Sequence, residues 1–527
     1  MSFLNRTLNY FSSRKTSTKR KIFRAFSENG DSVYLSGDWL SRTLRNWMPS
    51  LKSGKTELST GQRELTIARA YDAYRNQSLA RAVIKRIKEG AVGVGLELCP
   101  TIEGELLGLT DEETIKLEDV IEREFDRWKK NCDLERTLSL SQFQALAITN
   151  MLITGDCFIN TVYKKYSNEI YSLKFQMVDT SRVCNSGFSG DTKKNYSGIE
   201  VDEFGSPVSY TIRKAHRNLF FSERSKSLEC KKYPVFGEKT GRRRFFHIFD
   251  KDIPEQLRGI SVLAPIIADL KQLSRYSDAE LMATVLTSYM TVILENETLD
   301  EDYSWKGKSE KDNYMGGKDL GLGHGAILEL PKGRKVSQIT PTRPNQGFDS
   351  FMLAVMRNLS AGTGIPLDEL LLKFDRSYSS ARASMLKAYN VYRIYRKILI
   401  DMWLDEAYGL FFDELVVTNS LPFINNYSDF RRRELYHGHV WIGQGRGAID
   451  EVDEVNAAGA RVKNGFSSLP LETAELKGVS LRTVQRQQAR ALRRAKMLGI
   501  QYNVADTVTV ESNLKRKKEI KEEEDAN

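Results

Sequence analysis

Cysteine is scarce in this chain and poorly spaced for pairing: Cys99, Cys132, Cys157, Cys184 and Cys230 are an odd set, and no two form a CxxC pair. That argues against a disulfide framework or a zinc site and suits a reducing compartment. Histidine is equally rare, with His216, His247, His324, His437 and His439 the full set. The closest two, His437 and His439, would project oppositely on a strand and unfavourably on a helix, so no metal is called for there. The longest mostly apolar segment, around residues 281–294, is interrupted by Thr284, Thr287 and Ser288. It is short against the ~20 residues of a bilayer span. The N-terminus is basic and polar, without the continuous apolar stretch of a secretory signal. The expectation is a protein of aqueous surroundings with no membrane partner.

Reaction centres are missing as well. The nearest approach to a phosphate loop is Ser53-Gly54-Lys55-Thr56, but Pro49 stands where the leading glycine is needed. Proline offers no N–H to a phosphate and no freedom of φ, and no hydrophobic strand precedes it. No GxSxG elbow exists, the closest stretch being Gly187-Phe188-Ser189-Gly190. The carboxylates Glu522-Glu523-Glu524-Asp525 lie in a solvated tail, where nothing would fix the geometry that nuclease metal ions demand. The chain is therefore expected to bind or assemble rather than catalyse, with no cofactor.

What is present is a chain of 527 residues, 40% of them hydrophobic, enough for several packed regions. Residues 1–30 and the charged tail 515–527 offer little apolar surface to bury. The net charge of +10 points to a polyanionic neighbour, a role that nucleic acid and a membrane surface fill equally well. Arg6, Arg14, Lys15, Lys19, Arg20, Lys21 and Arg24 all precede the first acidic residue, Glu28. A second run, Lys477, Arg482, Arg486, Arg490, Arg493, Arg494 and Lys496, contains no Asp or Glu. The plainer reading of such runs is a solubilising arm and a solvated helix face.

Apolar spacing predicts a helix over 62–89 stopped by Gly90, with a strand leaving after Gly95. Thr110 and Glu113 form a capping box before a second amphipathic helix bearing Ile121, Phe125 and Trp128. Between Phe158 and His247 short Val-, Ile-, Tyr- and Phe-rich runs such as 173–178 and 208–212 alternate with turns at Asn185-Ser186-Gly187 and 202–205, which reads as a β-rich region. Helix is expected again over 259–294, 348–361 and 380–410, and a helical region over 450–498. A Gly-rich segment to residue 347 reads as an insertion with short strands such as 326–330. Tyr389, Tyr392, Tyr395 and Trp403 suggest base stacking, yet at helical spacing they suit packing against neighbouring helices. Phe351, Leu353, Val355, Met356 and Leu359 read as core or subunit interface.

Several separated stretches, in order, carry a resemblance. They are Arg45-Asn46-Trp47-Met48-Pro49, residues 70–76, Ala91-Val92-Gly93-Val94-Gly95, Gly155-Asp156, Phe175-Gln176-Met177-Val178-Asp179 with Arg182, and residues 198–202 with Gly205. The series continues with Phe246-His247-Ile248-Phe249, residues 256–261, Asp278-Ala279-Glu280-Leu281, Arg357, residues 361–365, residues 377–384, and Trp441-Ile442-Gly443 with Arg446, Ile449 and Asp450. Together, from about Trp47 to Arg494, they resemble the lambda-type family of tailed-phage portal proteins. Gly155-Asp156 departs conservatively from that family's usual Gly-Glu.

The resemblance implies an α+β portal fold around a central channel. Its parts would be a flexible arm at 1–40, a β-rich wing at 41–257, stem helices at 258–294 and 348–361, and a small α/β clip at 295–347. A tunnel loop at 362–382, a long helix and remaining wing at 383–440, a helical crown at 441–500 and a charged tail at 501–527 would complete it. It further implies a ring of twelve copies at a capsid vertex of the virion, assembled in the host cytoplasm. The partners would be double-stranded DNA without sequence specificity, the large terminase subunit, capsid and scaffold proteins, and a head-tail connector. Lys373, Arg376, Ser377, Tyr378 and Arg382 on the tunnel loop, and Arg482, Arg486, Arg490, Arg493 and Arg494 on the crown helix, are the candidate DNA-facing residues. Alternatively, Arg382 salt-bridges to Asp375 or Asp368, and Ser377 or Ser379 caps the following helix. A non-ring nucleic-acid-binding protein and a metal-dependent nuclease are the rival functions.

Overall fold

A computed structural model of the chain describes residues 52–186, 190–192, 194–214, 229–289, 293–296, 334–337, 347–373, 377–418, 421–447 and 450–498. It divides into two compact units, Met1–Glu57 and Leu58–Asn527. In the first, the rejected phosphate loop is a turn closed by the Thr56 N–H on the Ser53 carbonyl at 2.9 Å. The elements that follow belong to the second unit.

It begins with α1 (Thr60–Asn76) and α2 (Ser78–Ala91) in place of the single helix expected over 62–89. Gln77 between them is extended, at φ −118° and ψ 120°. Apolar spacing runs through Gln77 uninterrupted, so periodicity gives no sign of the break. Gly90 lies inside the last turn of α2 rather than beyond it. A Cβ there would come within 2.0 Å of the Tyr392 ring, so the glycine serves a close packing contact. β1 (Glu97–Pro100) and the short α3 (Gly104–Leu107) follow, then α4 (Asp111–Trp128). The expected capping box is formed: Thr110 N–H donates to Glu113 Oε2 at 2.9 Å, and the Thr110 hydroxyl accepts from the Glu113 N–H. Three acids in the first turn of α4 further suit its positive end.

α5 (Leu140–Thr154) leads into β2 (Asp156–Tyr163), the centre of an antiparallel sheet flanked by β3 (Leu173–Val178) and, later in the chain, a strand at Phe245–Phe249. β4 (Asn195–Tyr196), β5 (Ile199–Val201), β6 (Pro207–Arg213) and β7 (Cys230–Pro234) form a second sheet in sequence order, and β8 is the Phe245–Phe249 strand. The turn at 202–205 is set by Asp202, whose carboxylate accepts the Phe204 and Ser206 N–H groups, with Gly205 at φ 83°. The β-rich reading of this region therefore holds.

α6 (Ile267–Tyr289) starts later than the expected helix, because Arg258 to Ser261 are held in buried irregular structure. β9 (Ile293–Asn296) pairs with β10 (Arg334–Ser337); the strand expected at 326–330 lies outside the described residues. α7 (Phe348–Thr363) packs on α6 through Tyr276, whose ring centre lies 5.5 Å from that of Phe348 and 4.7 Å from that of Phe351. After α8 (Leu367–Leu371), α9 (Tyr378–Leu399) passes through a π turn at Ile400–Leu404 into α10 (Asp405–Val417). Trp403 in that turn is fully buried, Tyr392 is buried, and Tyr395 packs against the core, as their spacing suggests. α11 (Phe430–Tyr436), β11 (His439–Ile442), α12 (Glu451–Lys463), α13 (Leu469–Lys477) and α14 (Leu481–Met497) complete the described residues.

The molecule is α+β, and its described residues form two cores. The larger joins α4, α5, β3 and the π turn through an aromatic cluster in which Trp128 lies 5.1 Å from Phe411, and Trp403 lies 5.4 Å from Phe143 and 5.5 Å from Phe175. The smaller lies between the two sheets, around Phe158, Tyr210, Ile212 and Phe245. Each fully buried aromatic contributes roughly 2–3 kcal/mol relative to an exposed one, which makes these clusters the main hydrophobic support of the fold.

Candidate functional site

The segment before α9 is built by successive stops. Gly364, at φ 72°, ends α7 with its N–H on the Ser360 carbonyl, and Ile365 is buried behind it. α8 then makes one turn before Leu372, in a left-handed conformation at φ 55°, reverses the chain. Lys373 follows, exposed, with its N–H on the Asp368 carbonyl at 3.1 Å. Arg376 lies outside the described residues. Ser377 takes the N-cap position of α9, but its hydroxyl meets that of Ser379 at 3.3 Å rather than a backbone N–H. Capping by either serine side chain is thus not what the structure forms. Tyr378 is half exposed.

Arg382 has an acidic partner among the described residues that is not Asp368, and Asp375, the other expected partner, lies outside them. Its guanidinium pairs with Glu454 of α12, while Asp368 accepts the Ser384 hydroxyl at 3.2 Å. Glu454 is buried and also receives Arg446 at 2.9 Å, so one carboxylate ties α9 to α12 and offsets two cations. α12 is joined to α13 by a two-bond Arg461–Glu472 pair at 2.6 and 2.7 Å, which holds the Glu472 carboxyl down at about 2.

The basic run of α14 divides in two. Arg482 pairs with the buried Glu118, and Arg486 with Asp119 and, at 2.8 Å, Glu122, all on α4. Thr483 adds a hydroxyl bond to Glu97 at 2.7 Å. Arg490, Arg493 and Arg494 are exposed and form no ion pair with a described residue. The first half of the run is a staple within the molecule, and only the second presents its charge to solvent. Acids at i, i+1 and i+4 on α4 facing arginines at i and i+4 on α14 were a legible signal that reading each run separately missed.

A third cluster joins stretches that are far apart in sequence. Asp156 is fully buried: Oδ1 accepts His247 Nε2 at 2.9 Å and the Gly259 N–H at 2.6 Å, and Oδ2 accepts Arg258 Nε at 2.7 Å. Burial by itself would raise this carboxyl, but Arg258, the His247 hydrogen bond and Arg63 together hold it well below the usual carboxylate range. Arg258 also donates to the Ser197 carbonyl at 2.7 Å, and Arg63 to that of Gly259 at 2.7 Å. The first core's helices are thereby bound to the second core's sheet. His437, by contrast, is pushed down to about 3 by burial and by Arg433; its Nε2 lies 2.8 Å from the Tyr427 hydroxyl, which itself donates to buried Asp413. The two histidines considered as metal ligands are separately engaged, His439 with Asp405 at 3.0 Å.

The chain is 22% identical over 505 residues to portal protein B of Escherichia phage lambda, covering 92% of this chain and 93% of that one. It is 22% identical over 507 residues to the portal protein of Escherichia phage N15, with the same coverage. Among solved structures it is similar to a chain in the neck of a native gene transfer agent particle computed with C12 symmetry, with a TM-score of 0.44 at 10% identity over 79% of this chain and 94% of that one. A chain from the neck of the empty particle, computed with C6 symmetry, gives a TM-score of 0.40 at 11% identity over 71% and 93%. The sequence model of the lambda family of phage portal proteins matches residues 40–396, and the chain belongs to that family.

Proposed function

We propose that copies of this portal-family chain close into a ring of twelve at a capsid vertex, and that double-stranded DNA passes through the bore during packaging, retention and ejection. The observation that carries this reading is the family match over residues 40–396, together with alignment to two phage portal proteins along nine-tenths of the chain. In this reading 41–257 form the wing, 258–294 and 348–361 the stem helices, 295–347 the clip, 362–382 the tunnel loop and 441–500 the crown. Translocation energy comes from a separate motor, the large terminase subunit, docking at the clip. Capsid and scaffold proteins meet the wing, and a head-tail connector replaces the motor. The protein itself turns over no substrate.

Lys373, Arg376 and Arg382 line the bore, and the exposed arginines of α14 face the packaged genome. A sliding duplex must be held without being gripped, since each phosphate neutralised adds sequence-independent affinity. Glu454 beside Arg382 suits this need, because it leaves that cation only part of its charge to offer. Native mass spectrometry and negative-stain imaging test the ring: closed annuli with a through-hole are expected, and discrete monomers at high concentration with capsid protein present would overturn it. Replacing Arg376 and Arg382 together with Ala is expected to slow packaging and leave rings intact. Packaging at the normal rate would remove both residues from the bore.

A further inference from the structure

Residues 160–163 at the end of β2, part of β7 and the segment 237–244 line a cavity of about 770 Å³. Its walls are held in place by backbone bonds. The Gly237 N–H donates to the Arg242 carbonyl and the Gly241 N–H to that of Gly237, both at 2.8 Å, which closes 237–242 into a tight loop. The loop is tied to β2 by the Thr161 N–H on the Arg244 carbonyl at 2.8 Å, and to the end of β7 by the Arg244 N–H on the Val235 carbonyl at 2.7 Å. A preformed cavity of this size suits a ligand with the bulk of several side chains.

The lining is strongly basic, with Glu238 its one acid. Two of its cations are spent inside the fold, Arg242 on Asp413 at 2.9 Å and Arg243 on Glu406 at 3.1 Å, both acids of α10. Lys231, Lys239 and Arg244 are exposed and form no ion pair with a described residue. Lys231 stands over the Tyr233 ring, 5.1 Å from its centre. Two buried polar atoms of lining residues also have no hydrogen-bond partner among the described residues: the hydroxyl of Thr161, a residue 3% exposed, and Nε of Arg243. Both can donate, so both call for an acceptor.

The ligand is therefore anionic, and the cavity says of what kind. A nucleic-acid duplex is too broad to enter it, and with Arg242 and Arg243 committed no two adjacent guanidinium groups remain free to clamp a phosphate. Val162, Tyr163, Tyr233 and Pro234 give it apolar wall, which a bare anion would leave unused. We infer that this cavity binds a partner protein through a short segment in which Asp or Glu alternates with apolar residues. The carboxylates meet Lys231, Lys239 and Arg244, and the apolar side chains meet the tyrosine-lined wall. The cavity lies within 41–257, the part that the portal reading gives to capsid and scaffold contacts, and it needs no ring in order to bind.

The test selects a random dodecapeptide library on the immobilised full-length chain. Peptides in which Asp or Glu alternates with apolar residues are expected to be enriched over the input. The most enriched peptide, carrying a fluorescent label, is expected to bind about tenfold more weakly to the Lys231→Ala, Arg244→Ala double variant, with the thermal unfolding midpoint unchanged. Lys239→Glu, a change on the exposed loop, is expected to act in the same direction, as is replacing the peptide's own acids by Asn and Gln. Changing Arg490, Arg493 and Arg494 to Ala, which removes as much positive charge elsewhere, is expected to leave its affinity unaltered. No acidic enrichment, or equal binding by the cavity variants, would overturn the inference. Displacement of the peptide by single-stranded oligothymidine at equal charge concentration would assign the cavity to nucleic acid instead. Particle imaging reads the ring separately: rings without peptide binding refute this site alone, and peptide binding without rings refutes the ring alone.

Discussion

Asp156 shows how much one side chain can hold. Its two oxygens meet a histidine, an arginine and a backbone N–H that come from residues 247 to 259, and all of them are out of water. Asp156→Asn keeps the shape but leaves Arg258 buried without a counter-charge. The expected cost is about 3–5 kcal/mol, read as a lower denaturant midpoint; a change under ~1 kcal/mol would mean the cluster is not structural. Gly155 and Gly259 touch at the same place. A Cβ on Gly259 would lie 1.9 Å from the Gly155 carbonyl oxygen, a backbone atom that cannot rotate aside. Gly259→Ala is expected to destabilise by at least ~2 kcal/mol or to yield insoluble protein, checked by expression and thermal melting.

At the scale of elements, α14 separates stability from binding. Its first turns are fixed to α4, and its last turns are free of ion pairs with described residues. Arg482→Ala strands the buried Glu118 and is expected to lower stability by about 2 kcal/mol. Changing Arg490, Arg493 and Arg494 together to Ala is expected to leave the unfolding midpoint unchanged. It should also flatten the dependence of DNA affinity on salt, by up to ~0.9 in the log–log slope for each phosphate that a copy no longer neutralises. If both variants weaken DNA binding alike with no difference in stability, the division is wrong. The π turn at Ile400–Leu404 is a second element-scale feature: it keeps α9 and α10 one continuous rod while seating Trp403 among Phe143 and Phe175.

For the whole molecule, buried titrating groups set the response to acid. His437, pushed down to about 3, and Asp156 and Glu472, both held low, each bind fewer protons folded than unfolded. A group with a depressed folded pKa contributes stability that is complete above its unfolded value and is lost as pH falls through the folded one. His437 thus weakens the fold from about its ordinary 6.5 downward, and the two carboxylates add to the loss below their ordinary range near 4. Denaturant midpoints are expected to be flat between about pH 7 and 8 and to fall in two stages on acidification, the first made smaller by His437→Gln and kept in part by His247, which burial also lowers. A midpoint that rises between pH 7 and 5 would contradict this.

Local signals in the sequence determined what depends on neighbours along the chain. The Thr110–Glu113 box, the turn at Asp202, the strands at 173–178 and 207–213 and the helices flanking the Gly-rich segment follow from backbone geometry over a few residues, and collinear stretches were enough to reveal the family. What only the tertiary structure decided is which charges are spent. Arg382 finds Glu454 rather than Asp368, Arg482 and Arg486 find α4, and Asp156, His247 and Arg258 meet in one buried cluster. These partners lie from about ten to several hundred residues apart, and a Coulomb interaction depends on distance through space, to which spacing along the chain is blind.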